Sequence, residues 1–250
     1  MKRIIYGLLI AMFLPLCANA LKFGSAILVT CPLCGGQKEL MSVVSGNSFG
    51  ASIWSDGFEN APMMPRISPI QKCVECGDYY FFYTAHKDYS DNPEKISTET
   101  GLLSYPEAKD AFIKLLGKDL SKEDEILLRL EFLYRYNDAN RNDYNPYPVE
   151  IILSDDNLKR SVNDVEIHKS NIMALIDLME DSSLEYAFPV QSSLEKRIFL
   201  AELYREAGMF EKSLEILRDI RPDSEETFKI METIRQKDME KDSSVFKFDL

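Results

Sequence analysis

Cys31-Pro32-Leu33-Cys34-Gly35 and Cys73-Val74-Glu75-Cys76-Gly77 decide the reading of this chain. Each pair has two residues between its thiols and a glycine directly after the second. That spacing lets two thiolates converge on one ion, while the glycine takes the tight turn that aims backbone N–H groups at the sulfurs. Two such knuckles make one tetrahedral four-sulfur site, for which Zn2+ is the commoner tenant and iron the lesser one. Ala26-Ile27-Leu28-Val29-Thr30 leads into the first knuckle as a strand, and the aromatic run from Tyr79 to Thr84 leaves the second as another. The expected arrangement is a small β zinc-ribbon domain over 21–85 with a long insertion, its structural metal held by Cys31, Cys34, Cys73 and Cys76. Two other chemistries use the same thiols: a pair of disulfides, or a redox dithiol whose low-pKa thiolate attacks a disulfide. Against the redox reading, glycine and β-rich sequence follow both pairs, so neither pair opens a helix.

Outward from the knuckles, the insertion from Glu39 to Lys72 is rich in glycine and proline, which forbid a long helix. Its Trp54, the one tryptophan of the chain, has Phe49, Ile53 and Phe58 for company and is expected to cover the small ribbon. A sharper expectation is a ligand or peptide surface formed by Trp54, Asp56, Met63, Met64 and Arg66. Gly46-Asn47-Ser48-Phe49-Gly50 has the outline of a hydrolase nucleophile elbow but lacks the strand before it and the long helix after it, so Ser48 reads as a turn residue. His86 and His168, the only histidines, stand apart from any such constellation and read as surface residues.

At the other end of the first half, Met1 to Ala20 has a basic start at Lys2 and Arg3, an apolar run from Ile4 to Leu16 and the small-residue ending Ala18-Asn19-Ala20. These are the three parts of a secretory signal, and cleavage would leave Leu21 first. The run is 13 residues, short for a bilayer crossing, so no stable membrane span is expected after cleavage. The protein is expected to be exported, periplasmic or secreted. Lipidation at Cys17 or a cytoplasmic chain with a misplaced start are the lesser alternatives.

The whole chain of 250 residues carries 29 basic against 41 acidic side chains, a formal charge of −12. That balance argues against a nucleic-acid partner, because phosphate neutralisation needs lysine and arginine in excess. The acid is concentrated beyond residue 85, where composition also shifts from Gly, Pro, Ser and Cys to long Glu, Lys and Leu stretches. Residues 86–103 read as a linker, and 104–250 as an all-α helical domain, making the fold class α+β overall. Ser104-Tyr105-Pro106-Glu107 reads as one helix start and Ser121 with Asp124 as another. Ile126, Leu127, Leu130, Leu133 and Tyr134 recur at helical spacing, as do Ile172, Leu175, Ile176 and Met179 within 155–180. Asp138 to Asp143 begins like a calcium loop, then departs from it at Asp143 and Val149, and Tyr144 to Pro148 suits neither helix nor strand. Over 194–222, two amphipathic helices are joined by Ala207-Gly208-Met209, a tetratricopeptide-like hairpin with a plain bundle hairpin as the alternative.

The knuckles, Ser-Gly-Asn-Ser-Phe-Gly at 45–50, Trp-Ser-Asp-Gly at 54–57, Pro-Arg-Ile-Ser-Pro-Ile-Gln-Lys-Cys at 65–73 and Ala-Glu-Leu-Tyr-Arg-Glu-Ala-Gly at 201–208 together resemble a group of uncharacterised bacterial proteins of Bacteroides-like organisms. The likeness covers most of the chain after residue 20. It implies a zinc ribbon at Cys31, Cys34, Cys73 and Cys76 attached to a tetratricopeptide-like helical region, and it carries no activity. The functional expectation is a non-enzymatic module that binds a protein partner or acts as a scaffold through its helices, with a thiol–disulfide oxidoreductase as the alternative.

Overall fold

The computed structural model describes residues 21–90, 92, 94–141, 160–181 and 192–249. The signal-like segment 1–20, the Tyr144 to Pro148 stretch, most of the calcium-like loop and the start of the 155–180 helical segment lie outside the described residues. The described residues form small antiparallel sheets followed by six α-helices, an α+β architecture.

Both knuckles are the tips of β-hairpins. Strand β2 (Ile27–Thr30) runs into the first and β3 (Gln37–Leu40) leaves it, with Ile27 opposite Leu40 and Thr30 opposite Gln37. Strand β7 (Ile70–Lys72) runs into the second and β8 (Tyr79–Phe81) leaves it, with Ile70 opposite Phe81 and Lys72 opposite Tyr79. Two-residue strands β1 (Lys22–Phe23) and β5 (Ser52–Ile53) pair with β4 (Val43–Ser45) and β6 (Glu59–Asn60) respectively.

Residues 86–103 are not a free linker. His86–Tyr89 form β9, an exposed edge strand that takes the open side of β2 and completes the sheet β3-β2-β9. Beyond it, Ala26 N–H donates to Lys95 O at 2.8 Å and Met41 N–H to Glu99 O at 2.7 Å. The polar His-Lys-Asp-Tyr sequence hides this strand because both of its faces meet solvent, so no apolar alternation marks it.

The helices begin where side chains can cap them. In α1 (Tyr105–Leu116) Ser104 N–H donates to Glu107 Oε2 at 3.1 Å. Ser121 Oγ accepts from Asp124 N–H at 3.1 Å at the start of α2 (Lys122–Asn137). Ser161 and Asp164 make a reciprocal box at α3 (Val162–Glu180). Ser192 and Ser224 cap α4 (Ser193–Glu206) and α6 (Glu225–Glu240), with α5 (Phe210–Arg218) between them. Each such cap satisfies a backbone donor that the first turn leaves orphaned and stabilises by about 1 kcal/mol. The α4–α5 corner closes in a Schellman motif: Met209 N–H donates to Tyr204 O and Gly208 N–H to Arg205 O, both at 2.8 Å. Gly208 sits at φ +77°, where a side chain would be strained.

Packing ties the halves of the chain together. Trp54 and Phe58 of the insertion are buried among Ile126, Leu130 and Tyr134 of α2, Ile172 of α3 and Leu203 of α4. Ile70, Tyr79 and Phe81 of the second hairpin are buried with Tyr105 and Phe112 of α1 and Phe132 of α2. Helix α2 is therefore enclosed on both sides, and every residue from Leu128 to Asn137 is buried. Ala201, Leu217, Ile220, Met231, Ile234 and Phe248 form a further core that stacks α6 and the C-terminal segment on the α4–α5 hairpin.

Candidate metal centre

The sulfurs of Cys31, Cys34, Cys73 and Cys76 all lie within 4.8 Å of one another. Four thiolates ~2.3 Å from one ion at tetrahedral angles stand ~3.8 Å apart, so this cluster has the spacing a single metal ion requires. The closest cross-knuckle pair, Cys34 Sγ and Cys73 Sγ, is 3.5 Å apart. None of the four is in a disulfide; Cys31 and Cys73 are buried, Cys34 and Cys76 exposed. The set can hold one metal ion and is consistent with structural zinc, the hard-ligand metals being disfavoured by four sulfurs.

The backbone builds the same turn twice. Cys31 N–H donates to Gly36 O at 2.8 Å and Gly35 N–H to Cys31 O at 3.0 Å. In the second knuckle Cys73 N–H donates to Asp78 O at 2.8 Å and Gly77 N–H to Cys73 O at 3.1 Å. Gly35 and Gly77 have φ of +79° and +74°, the left-handed turn that the glycine after each pair supplies. The N–H groups of Leu33 and Gly36 then approach Cys31 Sγ and Cys34 Sγ at 3.4 Å. Burial raises the Cys31 thiol pKa, backbone donors notwithstanding. Cys73 is also penalised by burial, yet the N–H groups of Cys76 and Glu75 and the thiols of Cys34 and Cys76 bring it down to about 7.

Two lysines that the sequence pattern did not single out border the cluster. Lys38 Nζ donates to Lys72 O at 3.2 Å; burial lowers its pKa, against the opposing pull of Glu99, Cys73, Glu107 and Cys31. Four thiolates around a divalent ion carry two net negative charges, which a nearby ammonium offsets. Lys72 pairs with Glu107 of α1 at 2.9 Å and so links the second hairpin to the first helix.

The five insertion residues expected to form one binding surface are not brought onto one. Trp54 is only 5% exposed and Asp56 is fully buried. Asp56 pairs with Arg141 and accepts from Asn137 Nδ2 at 3.0 Å and from Phe58 N–H at 3.2 Å. Arg66 faces Glu131 at 3.5 Å and lies over the Tyr134 ring. Met63 is half-buried and Met64 exposed. The reason is packing: the insertion folds Trp54 and Phe58 into the helices instead of over the ribbon, while Val44, Phe49 and Met64 stay exposed. Asp138, from the calcium-like loop, is buried between Arg135 and Arg141, which occupies it as an ion-pair partner. His168 is half-buried, stacked on Tyr136 with ring centroids 3.7 Å apart.

No protein-family model, curated protein or solved structure matches the chain. Among the described residues, no helix is long and apolar enough to cross a membrane.

Proposed function

We propose that this is an exported protein in which a zinc-ribbon-like metal centre staples a β region to a tetratricopeptide-like helical stack, and that the stack binds a protein partner without catalysis. The observation that carries the reading is the convergence of four sulfurs, two from each hairpin tip, within 4.8 Å. A closed four-sulfur site leaves no coordination position for substrate; its contribution is folding free energy. The packing of α4, α5 and α6 on one another around Ala201, Leu217, Met231 and Ile234 supports the repeat-like reading, since repeat modules stack helix pairs on such a shared core.

The test is elemental analysis of protein purified without chelator, together with thiol titration before and after unfolding. About one zinc per chain, with thiols that react only after unfolding and chelation, is the expected result. One observation favours a second reading, a thiol–disulfide oxidoreductase: each Cys-x-x-Cys pair keeps one free, exposed thiol, Cys34 in the first and Cys76 in the second. Metal-free protein with a reactive thiol, able to reduce a model disulfide, would establish that reading in place of the first.

A further inference from the structure

One feature of the helical half with no role in the metal centre is a groove of about 500 Å³ between the β5–β6 hairpin, α4, α6 and Phe248. Its floor is apolar, formed by Trp54, Ile198, Phe199, Ile230 and Phe248. Its walls carry Glu59, Glu195, Asp223 and Glu226, and among the described residues no lysine, arginine or histidine lines it. Glu59, Asp223 and Glu226 form no ion pair among the described residues and are exposed at the rim. The indole N–H of Trp54 is buried and has no acceptor among the described residues. One side of the groove is backbone already in use: Phe248 N–H donates to Ile53 O at 3.0 Å, so the C-terminal segment covers the outer edge of β5.

Resting on the protein-binding reading above, we infer that this groove receives an extended peptide segment of a partner protein in which lysine or arginine alternates with apolar residues. The apolar floor takes the hydrophobic side chains, and the carboxylates at the rim meet the basic ones. Carboxylates in the first turns of α4 and α6 also favour their own helix dipoles. Glu59 does not share that role, because it lies on β6. The groove therefore has more negative charge than the helix ends account for, and an acidic ligand would meet repulsion there.

Trp54 makes the inference directly measurable, as the single tryptophan of the chain lines the groove. Full-length protein is titrated with Ac-Leu-Lys-Phe-Lys-Leu-amide, with its glutamate counterpart and with a serine counterpart, following indole emission. The basic peptide should bind saturably and weaken as salt rises. The double variant Glu59→Lys/Glu226→Lys, its fold checked by circular dichroism, should lose about tenfold in affinity for it. Glu59→Gln/Glu226→Gln, which removes charge without reversing it, should fall between. Equal binding of all three peptides, or of the basic peptide to both variants as to the original, overturns the charge assignment while the protein-binding reading stands. Failure of all three peptides overturns the groove as a peptide site. If crosslinking then finds no contact of any of them with α4 to α6, the protein-binding reading falls with it.

Discussion

Replacing His168 with phenylalanine should leave the protein as stable as before near neutral pH and more stable than before in mild acid. The imidazole lies parallel to the Tyr136 ring, 8° between planes, and its Nδ1 is buried without a hydrogen-bond partner among the described residues. Burial first, and the Arg160 charge second, bring its pKa from the ordinary 6.5 down to about 3. The folded state thus keeps the ring neutral where the unfolded chain would protonate it. Below pH 6.5 the unfolded state binds more protons, so folding free energy is fully present above that value and is lost as pH falls toward 3. Those two pKa values give a loss of about 2 kcal/mol between about pH 7.5 and about pH 5. Burial pushes Glu206 well above its ordinary value, with Glu202 and Asp56 adding to the effect, and holds Asp238 up at about 6; both oppose the trend, because they gain stability on acidification. Comparing the variant with the original protein at each pH cancels them. Urea unfolding at the two pH values measures the difference, and phenylalanine keeps a ring against Tyr136 so that packing changes little. If the two proteins lose stability in parallel from neutral to mildly acidic pH, His168 is not buried as a neutral ring and the reasoning fails.

Other perturbations test the packing around the site. Asp56→Asn should cost about 3 kcal/mol, the low end for a broken buried ion pair because Asp138 also holds Arg141; a shift in the urea midpoint reads it. Gly77→Ala should cost about 1–2 kcal/mol from the left-handed backbone alone, since nothing lies within 4 Å of the added methyl, and metal content should be retained on purification. Gly101→Ala should cost more than Gly77→Ala in the same unfolding assay, as its methyl would meet Gln71 Oε1, and Gln71 is fully buried with its Nε2 donating to Ser68 O at 2.7 Å.

What could be read from the amino-acid order was local. The cysteine spacing with its glycines is a turn specification, complete within five residues, and the turns at Cys31 and Cys73 have that form. Ser104, Ser121 and the Ala207-Gly208-Met209 corner mark helix ends through contacts three to five residues long, and the helices begin and end there. The apolar spacing of Ile172, Leu175, Ile176 and Met179 likewise reports one buried helix face. Long-range choices leave no such trace. Asp56 finds Arg141 85 residues away, and a lone aspartate beside glycine carries no signal of its partner. Strand β9 depends on the vacancy beside β2, which no property of His86 to Tyr89 announces. Trp54 and Phe58 were legible as core residues but not as the core of which half, because hydrophobicity has no address.

The address matters for the metal centre, because β8 serves two cores at once. Its alternation sends Tyr79 and Phe81 toward α1 and α2, while Tyr80 packs with Cys31, Cys73, Val29 and Leu40. Lys72, one residue before Cys73, adds the ion pair to Glu107. An ion that holds the hairpin tip therefore also fixes the side chains against which α1 is buried, and its removal should not be confined to the β region. Chelation under native conditions, or Cys73→Ser, should lower the thermal midpoint of the helical circular-dichroism signal together with loss of metal. Two separate transitions, with the helical one unmoved by chelation, would show instead that α1 and α2 hold Ile70, Tyr79 and Phe81 in place without help from the thiolates. In that case the coupling argued from the two faces of β8 would be wrong, even with the metal bound where the four sulfurs meet.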